Sequence, residues 1–296
     1  MTIRTVAVQS PGDMGHAIGQ SLVAQGFVVL TSSRGRSDLT RERLVRAGMK
    51  DLPDYESLVR EADIVLSVVP PQFALDTAKS FAAAMRETGR KPLYVDCNAI
   101  APATVALVES EITGAGAEFV DGGIVGMPPG KAGRTMLYVS GAKAASVVPL
   151  AHAAMDVVPI GPHSGQASAF KMLYAGFRKG SNALYLAMMI AAEHYGLYEV
   201  LDQEFKSSQT AMHQTMQKLI PLMPSDSVRW AAEMEEIMAT VGGVGLPRDF
   251  HQGAFDIFTL LSRTPFAAEA KERVDPSRTA RQTVQGTLAA MRKPAG

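Results

Sequence analysis

Residues 3–26 read IRTVAVQSPGDMGHAIGQSLVAQG. Ile3 to Gln9 is a short run rich in β-branched residues, suited to a buried strand, and Ala17 to Gln25 has helical spacing and stops at Gly26. Between them lies the turn Ser10-Pro11-Gly12-Asp13-Met14-Gly15. A strand, a tight glycine turn and a helix N-terminus in that order make an anion site. With no β-carbon at Gly12 the backbone can approach a pyrophosphate, and the unpaired N–H groups of the helix point at it. Gly15 lets the helix lie close on the sheet. Ser10 replaces the first glycine of G-x-G-x-x-G, so the competing reading is an ordinary strand-to-helix turn.

The alternation continues along the chain. The apolar runs Phe27 to Ser33, Asp63 to Val69, Leu93 to Cys97, Glu118 to Ile124, Met136 to Ser140 and Val157 to Ile160 are separated by helix-length amphipathic stretches. This pattern predicts an α/β Rossmann domain, a doubly wound and mostly parallel sheet, over residues 1–161. After Gly161 and Pro162 the texture changes. Gly165 to His194 holds no proline and would extend about 45 Å as a helix at ~1.5 Å per residue. Further helices are expected over 197–220, 226–241, 249–263 and 277–292, so residues 162–296 form an all-α domain for substrate and dimerisation. Gly176 and Gly180 on the long helix suit close approach of another helix, and a homodimer through 165–194 is expected.

Composition limits the function. At 296 residues the chain suffices for about two domains of roughly 100–200 residues each. Its 29 Lys and Arg balance 29 Asp and Glu, which disfavours nucleic acid and anionic membrane as partners. The one cysteine, Cys97, suits a reducing cytoplasm and leaves no Cys-based metal cluster. The six histidines show no metal-ligand spacing, and no metal is expected. The partner is then a small-molecule substrate.

The end of the second strand indicates which dinucleotide. NAD sites place a carboxylate there to accept from the ribose 2′-hydroxyl. Here Thr31-Ser32-Ser33-Arg34-Gly35-Arg36-Ser37 has no acid before Asp38. Two guanidiniums and three serine hydroxyls suit a 2′-phosphate instead, and NADP(H) is expected. The cofactor set is Ser10, Gly12, Met14, Gly15, Ser33, Arg34, Arg36, Ser37, Val69, Pro70 and Asn98.

These motifs, with V-D-C-N-A-I-A-P at 95–102, V-D-G-G-I-V-G at 120–126 and G-x-x-x-x-x-K at 165–171, resemble the β-hydroxyacid dehydrogenase superfamily, the group of 3-hydroxyisobutyrate and 6-phosphogluconate dehydrogenases. The S-P-G-x-M-G turn and the stretch around Lys171 to Gly180 resemble a branch whose C-terminal domain has no assigned function. The resemblance implies a commonly dimeric two-domain dehydrogenase acting on a small hydroxy compound. It implies Lys171 as general acid/base, Asn98 at nicotinamide ribose and substrate, and Arg36 and Ser37 at the 2′-phosphate. Asp121, Gly122, Gly123, Tyr174 and Arg178 complete the expected substrate residues, with a loop cap as the equal alternative for Asp121. The family's serine and glycines that hold a substrate carboxylate are replaced at Val125, Gly126 and Met127, and Tyr174 stands where 6-phosphogluconate enzymes use histidine. That argues against 6-phosphogluconate as substrate.

A lysine serves as both acid and base if its proton affinity is lowered, and Arg178, on the same helical face, is expected to lower it. Three alternatives stand beside this reading. Imine reduction on the same architecture is one, although such enzymes usually carry aspartate or tyrosine at the lysine position. A non-catalytic NADP(H) sensor is another. Ser168-x-x-Lys171 as a serine acyl-transfer pair is the third, and it lacks the K-T-G partner.

Overall fold

A computed structural model describes residues 3–9, 12–35, 38–131, 133–270 and 273–291. Eight strands form one sheet: β1 (Thr5–Gln9), β2 (Val28–Thr31), β3 (Lys50–Asp51), β4 (Ile64–Ser67), β5 (Leu93–Asp96), β6 (Phe119–Val125), β7 (Thr135–Ser140) and β8 (Met155–Gly161). Their order is β3-β2-β1-β4-β5-β6-β7-β8. Every pairing is parallel except β6 with β7. All seven anticipated strands are present. The strand the sequence hides is β3, two residues long and exposed, which carries no apolar run.

Alternate residues of each central strand feed two separate cores. Val6, Val8, Ile64, Leu66, Leu93 and Val95 pack on one face with Ile18 and Leu22. Ala7, Val65 and Tyr94 pack on the other with Phe81, Met85 and Ile112. A sheet buried on both faces needs continuous apolar strands, as the sequence shows. The covering helices are α1 (Asp13–Ala24), α2 (Asp38–Arg46), α3 (Tyr55–Glu61), α4 (Ala74–Thr88) and α5 (Pro102–Gly114). α4 stops where Gly89 turns to φ +70°, and α5 begins with proline at a position that needs no N–H.

The chain divides into two compact units, Met1–Met172 and Leu173–Gly296. The dividing point lies inside the long helix α6 (Gln166–His194) rather than after Gly161, because the first turns of α6 pack on the sheet. Among the described residues the regular elements of the second unit are all helical. It continues with α7 (Tyr198–Ser208), α8 (Thr210–Leu219), α9 (Met223–Gly243), α10 (Asp249–Ser262) and α11 (Ala280–Met291). The single helix expected over 197–220 breaks at Gln209, whose φ −129° and ψ 43° leave the helical region. Around the break the Ser208 and Thr210 hydroxyls donate back to the Glu204 and Lys206 carbonyls, the local competition that weakens a helix interior. Pro224, in the gap expected between the helices over 197–220 and 226–241, instead occupies the first turn of α9, where its missing N–H is tolerated. Trp230 of α9 meets Phe258 of α10 edge-on at 5.2 Å, filling the core of this unit.

Two glycines keep β6 closely packed, Gly123 against the start of α6 and Gly122 against the end of β5. A β-carbon at Gly123 would stand 2.7 Å from the Ala167 carbonyl oxygen and 3.1 Å from Cβ of Lys171. One at Gly122 would stand 2.8 Å from the Asp96 carbonyl oxygen. Backbone cannot retreat as a flexible side chain can, so Gly123→Ala is expected to destabilise the protein by about 1–3 kcal/mol. Urea unfolding checks this, and an unchanged midpoint would mean that α6 does not need this approach.

Candidate active site

The carboxyl ends of the strands carry a row of polar residues. Gln9, Ser67, Asp96, Asp121 and Ser140 stand side by side in register across β1, β4, β5, β6 and β7. All five are buried. At this depth each polar atom needs a partner, and the partners define the site.

Asn98 is the first hub. Its side-chain oxygen accepts from Val69 N at 2.7 Å, while its amide nitrogen donates to Asp96 Oδ2 at 2.7 Å and Ser67 Oγ at 3.1 Å. Its backbone N–H donates to Asp96 Oδ1 at 3.0 Å. The side chain was expected at the ribose and substrate, but it is 1 % exposed and turned inward, tying the end of β5 to the end of β4. Val69 is therefore held by Asn98, and the neighbouring Pro70 is half-buried where a short 3-10 turn, Pro71–Phe73, begins.

Asp121 is the second hub. Its carboxylate accepts from Ser140 Oγ at 2.9 Å, from Ser168 N at 3.0 Å and from Ser168 Oγ at 2.5 Å. Ser140 Oγ in turn accepts from Ala167 N at 2.9 Å. The first-turn N–H groups of α6 thus end on the sheet through one carboxylate and one hydroxyl, a favourable place for negative charge. Asp121, Gly122 and Gly123 were expected to line the substrate. All three are buried; Asp121 and Gly123 seat α6 on β6, and Gly122 packs against the end of β5. Ser168, weighed as a nucleophile, has its hydroxyl bonded to Asp121.

Lys171 lies one turn beyond Ser168 on α6, half-buried, with its Cβ beside Gly123. Its charge acts on Asp96 and on Cys97. Sequence reasoning took Arg178 as the lysine's charged neighbour and missed these groups, which reach it through the fold. Tyr174 and Arg178 lie on the part of α6 that belongs to the second unit. Both are exposed, and the Arg178 guanidinium sits 5.7 Å from the Tyr174 ring centre.

At β1, Gly12 precedes α1 with φ −68° and ψ −164°, extended backbone that any residue adopts. Among the described residues nothing lies within 4 Å of where its β-carbon would be. Neither strain nor packing requires glycine there, so the open space ahead of α1 suits a ligand that needs close backbone approach. Among the described residues no side chain caps α1. Gly15 is buried on the sheet side and Met14 packs against the core. These features fit a dinucleotide pyrophosphate. Ser10, Arg36 and Ser37 lie outside the described residues. Ser33 and Arg34 follow β2, Arg34 exposed and Ser33 6 % exposed. Ser33 donates from N to Asp51 Oδ1 at 2.8 Å and from Oγ to Asp51 Oδ2 at 2.6 Å. That carboxylate was missed because β3 left no pattern. Among the described residues no group of three or more His, Cys, Asp or Glu could hold a metal, and no helix is long and apolar enough to cross a membrane.

Burial pushes the Asp96 carboxyl up to about 7, and neighbouring Asp121 adds to the rise, while hydrogen bonds from Asn98 and the charge of Lys171 oppose it. Unfolded, Asp96 releases its proton near 3.8. Between those values the folded protein holds more protons than the unfolded one, so this group's contribution to stability falls as pH rises from about 4 to about 7 and is level above. Asp96→Asn should remove that decline. Urea unfolding of both proteins across the range checks it, and parallel curves would show Asp96 ionised throughout.

Residues 5–156 match the family described as the NAD binding domain of 6-phosphogluconate dehydrogenase, and residues 192–261 match a domain of unknown function, DUF1932. An uncharacterised 28.5 kDa protein of Methanothermus fervidus is 32% identical over 194 residues, which are 64% of this chain and 73% of that protein. One similar solved structure is a conserved protein of unknown function described as structurally similar to 3-hydroxyacid dehydrogenases. It is 26% identical with a TM-score of 0.67, over 87% of this chain and 96% of that one. The 3-hydroxyisobutyrate dehydrogenase of Mycobacterium tuberculosis shares the fold at a TM-score of 0.70 and 17% identity, over 92% of this chain and 98% of that one. With an eight-stranded sheet, a glycine turn ahead of α1 and a helical C-terminal region that matches a domain of unassigned function, the chain belongs to the family of the NAD-binding domain of 6-phosphogluconate dehydrogenase.

Proposed function

We propose that this protein is an NADP(H)-dependent oxidoreductase that moves a hydride between nicotinamide and a small hydroxy acid or related alcohol or carbonyl compound, with Lys171 as general acid/base. The observation that carries this reading is the seating of Lys171: Asp121 and Ser168 fix the start of α6, and the bare backbone of Gly123 lets the lysine's Cβ lie against β6. The nicotinamide supplies or accepts the hydride. Gly12 and the N-terminus of α1 would hold its pyrophosphate, and Arg34 would favour a 2′-phosphate.

The chain's own residues handle the proton. In the oxidative direction Lys171 Nζ takes the proton of the substrate hydroxyl, and in reduction it returns one to the carbonyl oxygen, an exchange worth about 10²–10⁴ in rate. Asp96, holding its proton up to about 7 near that lysine, tunes the local charge from beneath. Asn98 positions: by fixing Asp96, Ser67 and Val69 it sets the floor of the site. The replacement of the family's carboxylate-holding motif at Val125–Met127 leaves the substrate's own charge open to a panel test.

Two substitutions should separate binding from chemistry. Lys171→Met is expected to abolish turnover on a panel of hydroxy acids while leaving NADPH binding within about twofold. Gly12→Ala should keep the fold and weaken NADPH binding. Retention of more than a tenth of the activity by Lys171→Met would remove the lysine from the mechanism. Turnover of cyclic imines in place of hydroxy acids would favour C=N reduction, and binding without any turnover would favour a sensor.

The homodimer belongs to the same reading, by a changed route. Gly176 does not await a second helix: a β-carbon there would stand 3.0 Å from Ile237 and 3.1 Å from His251 of its own unit. The unpartnered face of α6 within the second unit is instead apolar, with Leu173, Phe177, Leu184 and Met188 exposed at 57%, 75%, 64% and 45%. Their spacing aligns them on one stripe, long and apolar enough to suit the same stripe of a second copy. Phe177→Asp with Leu184→Asp should shift light scattering to the monomer mass, and an unmodified protein that is a stable monomer would refute the dimer.

A further inference from the structure

β2 ends without the carboxylate that an NAD site carries, and its sequence therefore favours NADP(H). In space the carboxylate is present. Parallel pairing places Asp51 of β3 opposite Thr31 of β2, two residues before Ser33. From there its two oxygens take both donors of Ser33, the backbone N–H and the hydroxyl. Asp51 is exposed, and with Ser33, Arg34, Leu52 and Pro53 it lines an open groove of about 380 Å³. The Ser33 donors that a 2′-phosphate would need are thus already satisfied by an internal anion. Each carboxylate oxygen keeps a further lone pair, suited to accept from a 2′-hydroxyl.

We propose that Asp51 is the residue that discriminates between the cofactors, standing in from β3 for the acid missing at the end of β2, so that it admits a ribose 2′-hydroxyl and opposes the 2′-phosphate that Arg34 attracts. The opposition is one of like charges a few ångströms apart at a solvent-exposed edge, where such a repulsion is modest but falls on only one of the two cofactors. Arg34 does not act on a ligand alone. Its charge also acts on Asp54, whose carboxyl is held below the usual range first by hydrogen bonds from Ser57, then by Arg34 and Arg60. Asp54 thus shares the field of the guanidinium that would draw a phosphate, and Asp51 lines the same groove as that guanidinium, so that removing the Asp51 charge leaves more of the attraction for the ligand.

This inference rests on the reading of the Gly12 turn as a dinucleotide site. Cofactor-fluorescence titration of the purified full chain with NADPH and with NADH gives the ratio of the two affinities without any substrate. Asp51→Asn should shift that ratio at least fivefold toward NADPH, mostly through tighter NADPH binding with a smaller loss for NADH. Asp51→Ala should shift it the same way. Asp51→Glu, which keeps the charge, should not. Competition by 2′,5′-ADP against 5′-AMP should show the same ordering and localises the effect to the 2′ position. A ratio within twofold of the unmodified protein in Asn and Ala variants that bind both cofactors overturns the proposal and leaves the dinucleotide site standing. An equal shift in Asp51→Glu overturns it as well, since the cause would be the lost tie to Ser33 and not charge. If neither cofactor binds the unmodified protein, both readings fall.

Discussion

The site depends on a single buried carboxylate. Asp121 accepts three hydrogen bonds, two of them from the first turn of α6 and one from β7. Charge buried this completely is tolerable only when its lone pairs are filled, and removing the donors would leave an unpaired ion in the core. The same bonds do the positioning. A helix N-terminus tied to a strand through a carboxylate cannot rotate or slide without breaking several charge-assisted contacts at once, so the residue one turn further on, Lys171, inherits a fixed place. Gly123, two residues on from Asp121, makes the arrangement possible, because a side chain there would hold helix and sheet apart.

Much of the first unit was legible in the sequence. Strands buried on both faces must be apolar throughout, and seven of them announce themselves that way. What stayed hidden has physical reasons. A two-residue exposed strand such as β3 has no room for a pattern, and the break between α7 and α8 turns on hydroxyl-to-carbonyl bonds that composition does not display. The candidate site was legible as motifs and not as roles. V-D-G-G and V-D-C-N pointed to the right strand ends. That Asp121 caps a helix, that Asn98 faces inward, and that Asp96 lies near Lys171 all follow from the register between strands and from α6, distant in sequence, packing on β6.

Charge in this fold is handled by depth. At the rim, Arg34, Asp51 and Asp54 remain in contact with solvent and act on whatever enters the groove. In the row beneath, Asp96 and Asp121 are sealed. Asp121 has its oxygens filled by three donors, while Asp96 retains a proton into the neutral range. In the helical unit the ion pairs of Glu233 with Lys179 and Arg229 are a third kind, with Glu233 8% exposed and braced from two sides. In such a pair the cost of desolvation offsets much of the attraction, and losing one partner would leave a buried charge unpaired.

Cys97 lies in sequence between Asp96 and Asn98, 3% exposed, and burial pushes its thiol up, far from the thiolate form. A sulfur in that state neither alkylates nor oxidises readily. Since the chain holds one cysteine, the natural protein is silent toward thiol reagents while folded. A cysteine introduced at any exposed position then becomes a clean attachment point for a spin label or dye, with no need to remove the native one. The native thiol, in turn, becomes a built-in clock: the rate at which it is trapped by a reagent counts the openings of the sheet at the end of β5.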